Sequence, residues 1–207
     1  MAITKKHVPL KETIGDQYVC FDVPDATTGE WTTTYETEVV EIDGVKTSEI
    51  TDNTSSTDVY GSGKLHDTVR GKGSYDISVT TLGFDAATLA KMRGDDVDEG
   101  GLIRKGTGKR PYFAYGRVVA YTDGGIRYDW YPKCKLIENS DSTNTSEETY
   151  SEQTDDLTIR AYEYDGDKNI VASVDTSIQT VEGLTEAKFF SKPILKPADL
   201  ASVLSGE

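Results

Sequence analysis

The chain has 207 residues, which is enough to bury a core in one domain without a disulfide framework or a structural metal. Its 36 acidic and 22 basic residues give a formal charge of −14, and this excess argues against nucleic-acid binding, because affinity for phosphates comes from Lys and Arg. The two cysteines, Cys20 and Cys134, are too few for a disulfide scaffold or a zinc site. We expect both to be buried thiols in a reduced compartment.

The N-terminal residues 1–7 continue into polar and charged residues rather than an apolar stretch. No later window approaches the length that a membrane helix requires. We therefore expect no secretion signal and no membrane partner.

The apolar residues alternate more often than they recur at helical spacing, and Gly, Ser and Thr are frequent, which favours a mainly β fold. We predict a single domain over residues 1–207. It consists of an N-terminal segment (about 1–30), a β core (31–183) and a C-terminal arm (184–207). A short helix is expected near the start of this arm, and its prolines predict an extended chain after that helix.

A first strand is predicted over residues 31–42, which are rich in Thr and Val, with Glu36 and Glu38 on one face. Residues 44–73 then combine short extended pieces with a polar stretch, which is typical of a long hairpin that projects from the body. This hairpin is either an interaction arm or a flexible excursion. Its candidate contact residues are Ile50, Val59, Tyr60 and His66.

Residues 74–82 alternate polar and apolar side chains and predict a half-buried strand. A helix is expected over residues 86–93, because Asp85 can accept hydrogen bonds from its open amides and Gly94 can end it. We expect this helix to flank the sheet.

Residues 94–110 carry an acidic cluster followed by a basic one and predict a loop of opposed charge. A calcium loop is disfavoured, because Gly100 and Thr107 stand where ligands are needed. In an assembly its acidic and basic halves could pair across subunits, and a solvated mobile loop is the alternative. The candidate residues are Asp95, Asp96, Asp98, Arg104 and Lys105.

Two strands at residues 112–121 and 126–137 flank a glycine-containing turn, with Pro132 marking a bulge or an edge. A strand at 157–162 and another at 170–174 predict a further hairpin. The alternation places Phe113, Tyr115, Arg117, Val119 and Tyr121 on one face of the first strand, and Ile126, Tyr128, Trp130, Cys134 and Leu136 on one face of the second.

The sequence offers little material for catalysis. His7 and His66 are its only histidines, too few for a histidine-based triad or metal centre. The Gly-Lys pairs lack the pattern of a phosphate-binding loop. Carboxylate pairs carry no specificity in so acidic a chain. We predict no catalytic, cofactor or metal site.

The order and spacing of several short pieces are more informative than any piece alone. They are residues 59–61, the strand and turn at 75–85, residues 111–116, the aromatic strand at 128–136, and residues 147–150. From residue 59 to about residue 190, this order resembles the major tail protein family of siphophages that infect Gram-positive bacteria.

The resemblance implies a β-sandwich or half-barrel with one flanking helix, and no catalysis. It also implies six copies in a ring whose inner sheets join into a closed barrel, with rings stacked into the virion's tail tube. The implied partners are further copies of the chain, the tape-measure protein, and the tail terminator and tip proteins. DNA would pass through without specific binding.

In such a tube an acidic lumen would repel DNA phosphates. The candidate lumen-facing acids are Glu36, Glu38 and Asp156.

Two other interpretations stay open. Exposed aromatic side chains would suit a receptor- or carbohydrate-binding β-sandwich module of a virion, although cross-strand packing also explains them. A related tube from a contractile tail or a secretion apparatus would share the architecture. The aromatic residues in question are Tyr112, Tyr115, Tyr128, Trp130 and Tyr131.

Overall fold

The computed structural model describes residues 8–140 and 153–206, and within them the protein is mainly β. The resemblance motif at 147–150 and His7 lie outside the described residues. The strands are β1 (Lys11–Phe21), β2 (Val40–Ile42), β3 (Val45–Asp52), β4 (Ser56–Gly61), β5 (Lys64–Arg70), β6 (Ser74–Thr81), β7 (Asp96–Val97), β8 (Ile103–Arg104), β9 (Phe113–Tyr121), β10 (Ile126–Ser140), β11 (Asp155–Tyr162) and β12 (Ala172–Asp175). The helices are α1 (Ala86–Arg93), α2 (Glu186–Phe189) and α3 (Pro197–Ser205).

Eight of these strands form one antiparallel sheet, in the order β2-β1-β9-β10-β11-β6-β3, with β12 added to β10. The sheet curls until β3 contacts β1, yet no ladder joins these two strands in the described part of the chain. The sheet is therefore a half-barrel that is not closed. The predicted mainly β class, the flanking helix and the projecting hairpin are confirmed.

The curled sheet encloses an inner core built from most of its strands. Ile77, Phe113, Tyr115 and Leu136 are each 0 % exposed, and Met92 of α1 packs with them. Burying a side chain of this kind contributes about 1.5–3 kcal/mol. The alternation read in residues 74–82 is confirmed, because Ile77 and Val79 are buried while Ser78 is exposed.

A second, outer core lies where the C-terminal segment packs against β1, β9 and β10. Trp130 is 0 % exposed and its Nε1 donates to the carbonyl oxygen of Phe189 at 3.1 Å. Phe190 stacks on Tyr18 with ring centroids 3.8 Å apart. Gly116 permits this approach, because a Cβ there would lie 2.6 Å from the Phe190 ring.

The prediction of an extended C-terminal arm is therefore wrong. The short helix expected near its start is present as α2, but the chain then folds back and forms α3. Pro197 begins α3, a position where proline is favourable because no amide donor is needed. The Asp199 carboxylate accepts hydrogen bonds from the backbone amides of Leu195 and Lys196. These bonds hold the chain just before α3 in place.

The strand predicted over residues 31–42 is also largely wrong, since β2 covers only Val40–Ile42. Asp22 accepts a hydrogen bond from the Thr32 amide at 3.1 Å, and the Thr32 hydroxyl donates to the Val23 carbonyl oxygen at 2.8 Å. Side-chain bonds of this kind compete with ladder formation. Glu36 and Glu38 consequently do not share a strand face.

The bulge predicted at Pro132 is confirmed by a register shift between Tyr131 and Cys134. Because of this shift, Trp130 points into the outer core and Cys134 into the inner one. The prediction that both lie on one face of the strand is therefore wrong.

The hairpin predicted for the last two strands is wrong as well. β11 pairs with the 134–140 half of β10, whereas β12 pairs with Arg127–Trp130, so the two strands follow the same edge of β10 in succession.

Candidate assembly surfaces

The chain between β3 and β6 projects from the sheet as a hairpin, here called the arm (residues 53–73). In the described residues, β4 and β5 pair only with each other, around a turn at Ser62 and Gly63 with φ values of 50° and 75°. Positive φ at both central residues is the geometry that suits a two-residue hairpin. Every residue of β4 and β5 is exposed.

The arm presents apolar side chains to solvent. Tyr60 is 68 % exposed and Leu65 is 56 % exposed, and the two are paired across the strands beside the tip. Val59 and Val69 are 42 % and 52 % exposed. An isolated two-stranded hairpin is marginally stable in water, and grouped apolar residues on a surface mark an interaction site.

Three of the four predicted contact residues, Val59, Tyr60 and His66, lie in the arm. The fourth, Ile50, lies in β3, where it pairs with Ile77 and packs on the inner core. The sequence pattern did not separate the strand of the main sheet from the strand of the arm.

The predicted charged loop (residues 94–110) pairs its charges internally. Arg104 Nε donates to Asp98 at 2.7 Å, and its NH2 nitrogen lies 3.4 Å from Asp96. These contacts link the two strands of the short ladder between β7 and β8. Lys105 is exposed next to them.

The third candidate acid of that cluster, Asp95, is turned inward. Its side chain is 2 % exposed and lies 3.8 Å from the Arg93 guanidinium at the end of α1. Val97 and Leu102, by contrast, are 52 % and 61 % exposed. The loop therefore offers apolar surface as well as charge.

The outer side of β3, β6 and β11 forms a third surface, here called the polar face. Arg160 makes two hydrogen bonds to Asp76, at 2.6 and 2.8 Å, and holds the pKa of that carboxyl below its usual value. Thr80 donates to Asp156 at 2.7 Å. From strand register and exposure, the polar face consists of Thr47, Glu49, Thr51, Asp76, Ser78, Thr80, Asp156, Thr158 and Arg160.

Of the three predicted lumen-facing acids, only Asp156 lies on the polar face. Glu36 accepts hydrogen bonds from Lys91 of α1 at 2.6 and 2.8 Å, and Glu38 lies in the exposed connection before β2. Glu49 and Asp76 also lie on the polar face but are not among the predicted acids, although the alternation of residues 74–82 places Asp76 away from the core.

The charged groups buried in the sheet have partners. Arg117 Nε donates to Asp129 at 2.9 Å, with side chains only 9 % and 2 % exposed. Arg127 and the Ser173 hydroxyl also donate to this carboxylate, at 3.2 and 2.5 Å. The cluster joins β9, β10 and β12, and we assign it to the architecture of the sheet.

The aromatic residues considered for carbohydrate binding are mostly buried. Tyr115, Tyr128, Trp130 and Tyr131 are 0 %, 5 %, 0 % and 2 % exposed, so cross-strand and core packing accounts for them. Tyr112 is half-buried, with its ring edge toward Tyr162. The exposed aromatic surface on which the carbohydrate interpretation depended is not present in this set.

Both thiols are buried and free, as expected. Burial raises the pKa of Cys20 to about 12, and burial raises the pKa of Cys134 well above its usual value. Neither is a reactive thiolate near neutral pH.

Within residues 8–140 and 153–206, no group of three or more His, Cys, Asp or Glu side chains is arranged to hold a metal ion. The helices in that part of the chain are all too short or too polar to cross a membrane.

A family model described as phage tail tube protein matches residues 23–192, from the end of β1 through α2. The chain belongs to the phage tail tube protein family. No curated protein matches it. The family places this protein among structural components of the virion tail that assemble into a tube, and the exposed arm and curled sheet are surfaces of a tail tube protein.

Proposed function

We propose that this protein forms the tube of a long, non-contractile phage tail, with six copies in each ring and stacked rings that make a conduit for DNA. The observation that carries the proposal is the arm, a fully exposed β-hairpin with apolar residues at its tip. A surface of this kind on an otherwise well-packed subunit is a contact site for another protein chain.

The half-barrel supports lateral association. Its sheet ends in open strands at β2 and β3, and open β edges invite pairing with further chains. A head-to-tail contact repeated around an axis closes into a ring, which removes such edges. The sixfold number follows from the resemblance to siphophage major tail proteins.

The polar face is our candidate for the lumen lining. It carries hydroxyls and the carboxylates of Glu49, Asp76 and Asp156, while its Arg160 is engaged by Asp76. A wall of this chemistry, on a chain of charge −14, repels phosphates and offers DNA few cations to bind. DNA would then slide past without sticking.

The arm is the proposed contact between rings. The charged loop at 94–110 is the second candidate contact, through Lys105 and the exposed apolar residues, because Asp96, Asp98 and Arg104 already pair within the subunit.

Further partners follow from the proposed place in the tail. They are the tape-measure protein inside the tube and the terminator and tip proteins at its ends. We also propose a Gram-positive host, assembly in the host cytoplasm, a single folding domain and no catalytic activity.

Electron microscopy of negatively stained, purified protein tests the proposal. Concentrated wild-type protein should form rings and tubes, whereas a variant with residues 54–72 replaced by a short Gly-Ser linker should stop at rings or subunits. The matched control is Thr57→Ala, an exposed arm residue away from the tip. Wild-type protein that stays monomeric at every salt and protein concentration would contradict the proposed function.

A further inference from the structure

A small cavity lies at the end of the sheet opposite the arm. It has a volume of about 210 Å³ and is lined by the apolar side chains of Phe84, Ala86, Leu89, Ile103 and Leu157. The polar part of its lining consists of Arg93, Lys105, Asn139, Ser140 and Asp155. The cavity, here called the socket, is open to solvent and has no assigned role.

The arm and the socket lie at the two ends of one strand. β6 begins at Ser74, directly after the arm, and ends at Thr81, from which the chain continues through Phe84 into α1. Asp155, which lines the socket, pairs with Thr81 at that second end. Eight residues of strand separate the ends by about 25 Å.

This placement makes the subunit complementary to itself. A second copy displaced along the strand direction presents its socket to the arm tip of the first, and the same contact repeats without limit. We propose that Tyr60 at the arm tip of one subunit inserts into the socket of a subunit in the next ring. This inference rests on the proposed tube function and assigns the residues of its ring-to-ring contact.

Size and chemistry agree with a tyrosine as the occupant. Tyr60 is the most exposed apolar side chain of the arm, and its paired neighbour Leu65 can cover the rim. A tyrosine can pack its ring against the apolar part of the lining while its hydroxyl donates to a polar group there, for which the Asp155 carboxylate is the candidate, since Asn139 Oδ1 already accepts from Arg93 at 3.0 Å.

Family membership favours a second copy as the partner. Tail tube proteins assemble with further copies of themselves into a tube. Net charge does not decide the contact, because the socket's own lining holds Arg93 and Lys105 against Asp155, a formal charge of 2 − 1 = +1, and more distant charges are screened.

Filling the socket tests the proposal. Ala86 is exposed and lines the socket, whereas Ala87 is exposed on the same helix but does not line it. Ala86→Trp should raise the protein concentration needed for tubes at least about tenfold, equivalent to about 1.4 kcal/mol, and Ala87→Trp should leave it unchanged. Tyr60→Ala should match Ala86→Trp, and Thr57→Ala, an exposed polar position of the arm away from the tip, should match wild type.

Chemical cross-linking provides a direct readout. Cys20 and Cys134 are fully buried, so a short bis-maleimide added to tubes should react only with introduced cysteines. Tyr60→Cys combined with Ala86→Cys should give a ladder of covalent multimers on denaturing gels, and each single variant should give none. A ladder that stops at dimers would show a two-fold contact and overturn the proposal.

Other outcomes separate the two hypotheses. If Ala86→Trp protein forms tubes as readily as wild type, and the Tyr60→Cys/Ala86→Cys protein gives no ladder, the socket contact is overturned. The tube function would still stand. If Ala86→Trp lowers the Tm of the isolated subunit, the cross-linking result decides instead, and the absence of a ladder from the cysteine pair then overturns the socket contact. A failure of wild-type protein to form tubes would instead contradict the proposed function itself.

Discussion

Two β-ladders lie within residues 45–81 and have opposite environments. In the ladder between β3 and β6, Ile50 and Ile77 are paired and pack in the inner core. In the ladder between β4 and β5, every residue is exposed, Tyr60 and Leu65 included. Both have strand-forming side chains, so strand formation alone does not explain why the second pair extends beyond the body.

The difference lies in what each ladder packs against. A buried side chain such as Ile77 contributes about 1.5–3 kcal/mol, and β6 carries several. The arm gains no comparable burial within its own subunit. Its exposed apolar residues would contribute such a burial free energy only if another chain covered them. Mutations should therefore separate residues that hold the fold from residues that hold the assembly.

Removal of the largest buried aromatic residue should have the greatest effect on the fold. Trp130→Ala deletes a side chain that is 0 % exposed and bonded to Phe189, and should lower the free energy of unfolding by about 3–5 kcal/mol. Urea denaturation of the isolated subunit measures this. A loss below about 1 kcal/mol would show that the outer core is not a stabilising core.

Breaking the buried ion pair should rank next. Asp129→Ala leaves Arg117 and Arg127 without their carboxylate inside the sheet and should cost about 3 kcal/mol. Asp98→Ala removes an acid whose pair with Arg104 is exposed, and should change stability by less than about 1 kcal/mol. Equal effects of the two substitutions, measured by urea denaturation, would contradict the role given to the buried cluster.

The cap of α1 should have a smaller effect. Asp85→Ala removes the carboxylate that accepts from the Thr88 amide at 2.8 Å and should cost about 1 kcal/mol at neutral pH. The same amide holds the pKa of Asp85 below its ordinary 3.8 in the folded protein.

The pH dependence of that effect follows from the direction of the shift. A lowered folded-state pKa gives stability that is fully present above the unfolded value and is lost as the pH falls through the folded one. The difference between wild type and Asp85→Ala, measured by urea denaturation across pH, should therefore shrink in acid below about pH 4. A difference that grows on acidification would contradict the cap.

Substitution at the arm tip should affect the fold least. Tyr60→Ala removes an aromatic side chain that is 68 % exposed, so the unfolding free energy should change by less than about 0.5 kcal/mol. Tube formation should nevertheless decline. A Tyr60→Ala subunit as destabilised as Trp130→Ala would remove the distinction between arm and core.

The sequence predicts the elements whose signals are local. Asp85 and Gly94 bracket α1, the alternation of residues 74–81 defines β6, and Pro132 marks the bulge in β10. The failures depend on distant residues. The strand predicted at 31–42 is replaced by bonds to the Asp22 side chain, and β12 pairs with β10 rather than β11.

The assembly surfaces were predicted less completely than the fold. The arm is visible as a polar interruption between two extended stretches, but the point after β3 where the chain leaves the main sheet is not, so the prediction groups Ile50 with the arm although it lies in β3. The internal pairing of Arg104 with Asp98 depends on the turn between β7 and β8. The socket draws on α1, β8, β10 and β11, which no local pattern brings together.

Hydrogen exchange of the backbone amides in residues 56–70 tests the central claim most directly, with free subunits compared to assembled tubes. The account predicts rapid exchange in the free subunit and strong protection in the tube, while the amides of β6 are protected in both states. Arm amides that exchange equally fast in free subunits and in tubes would contradict it.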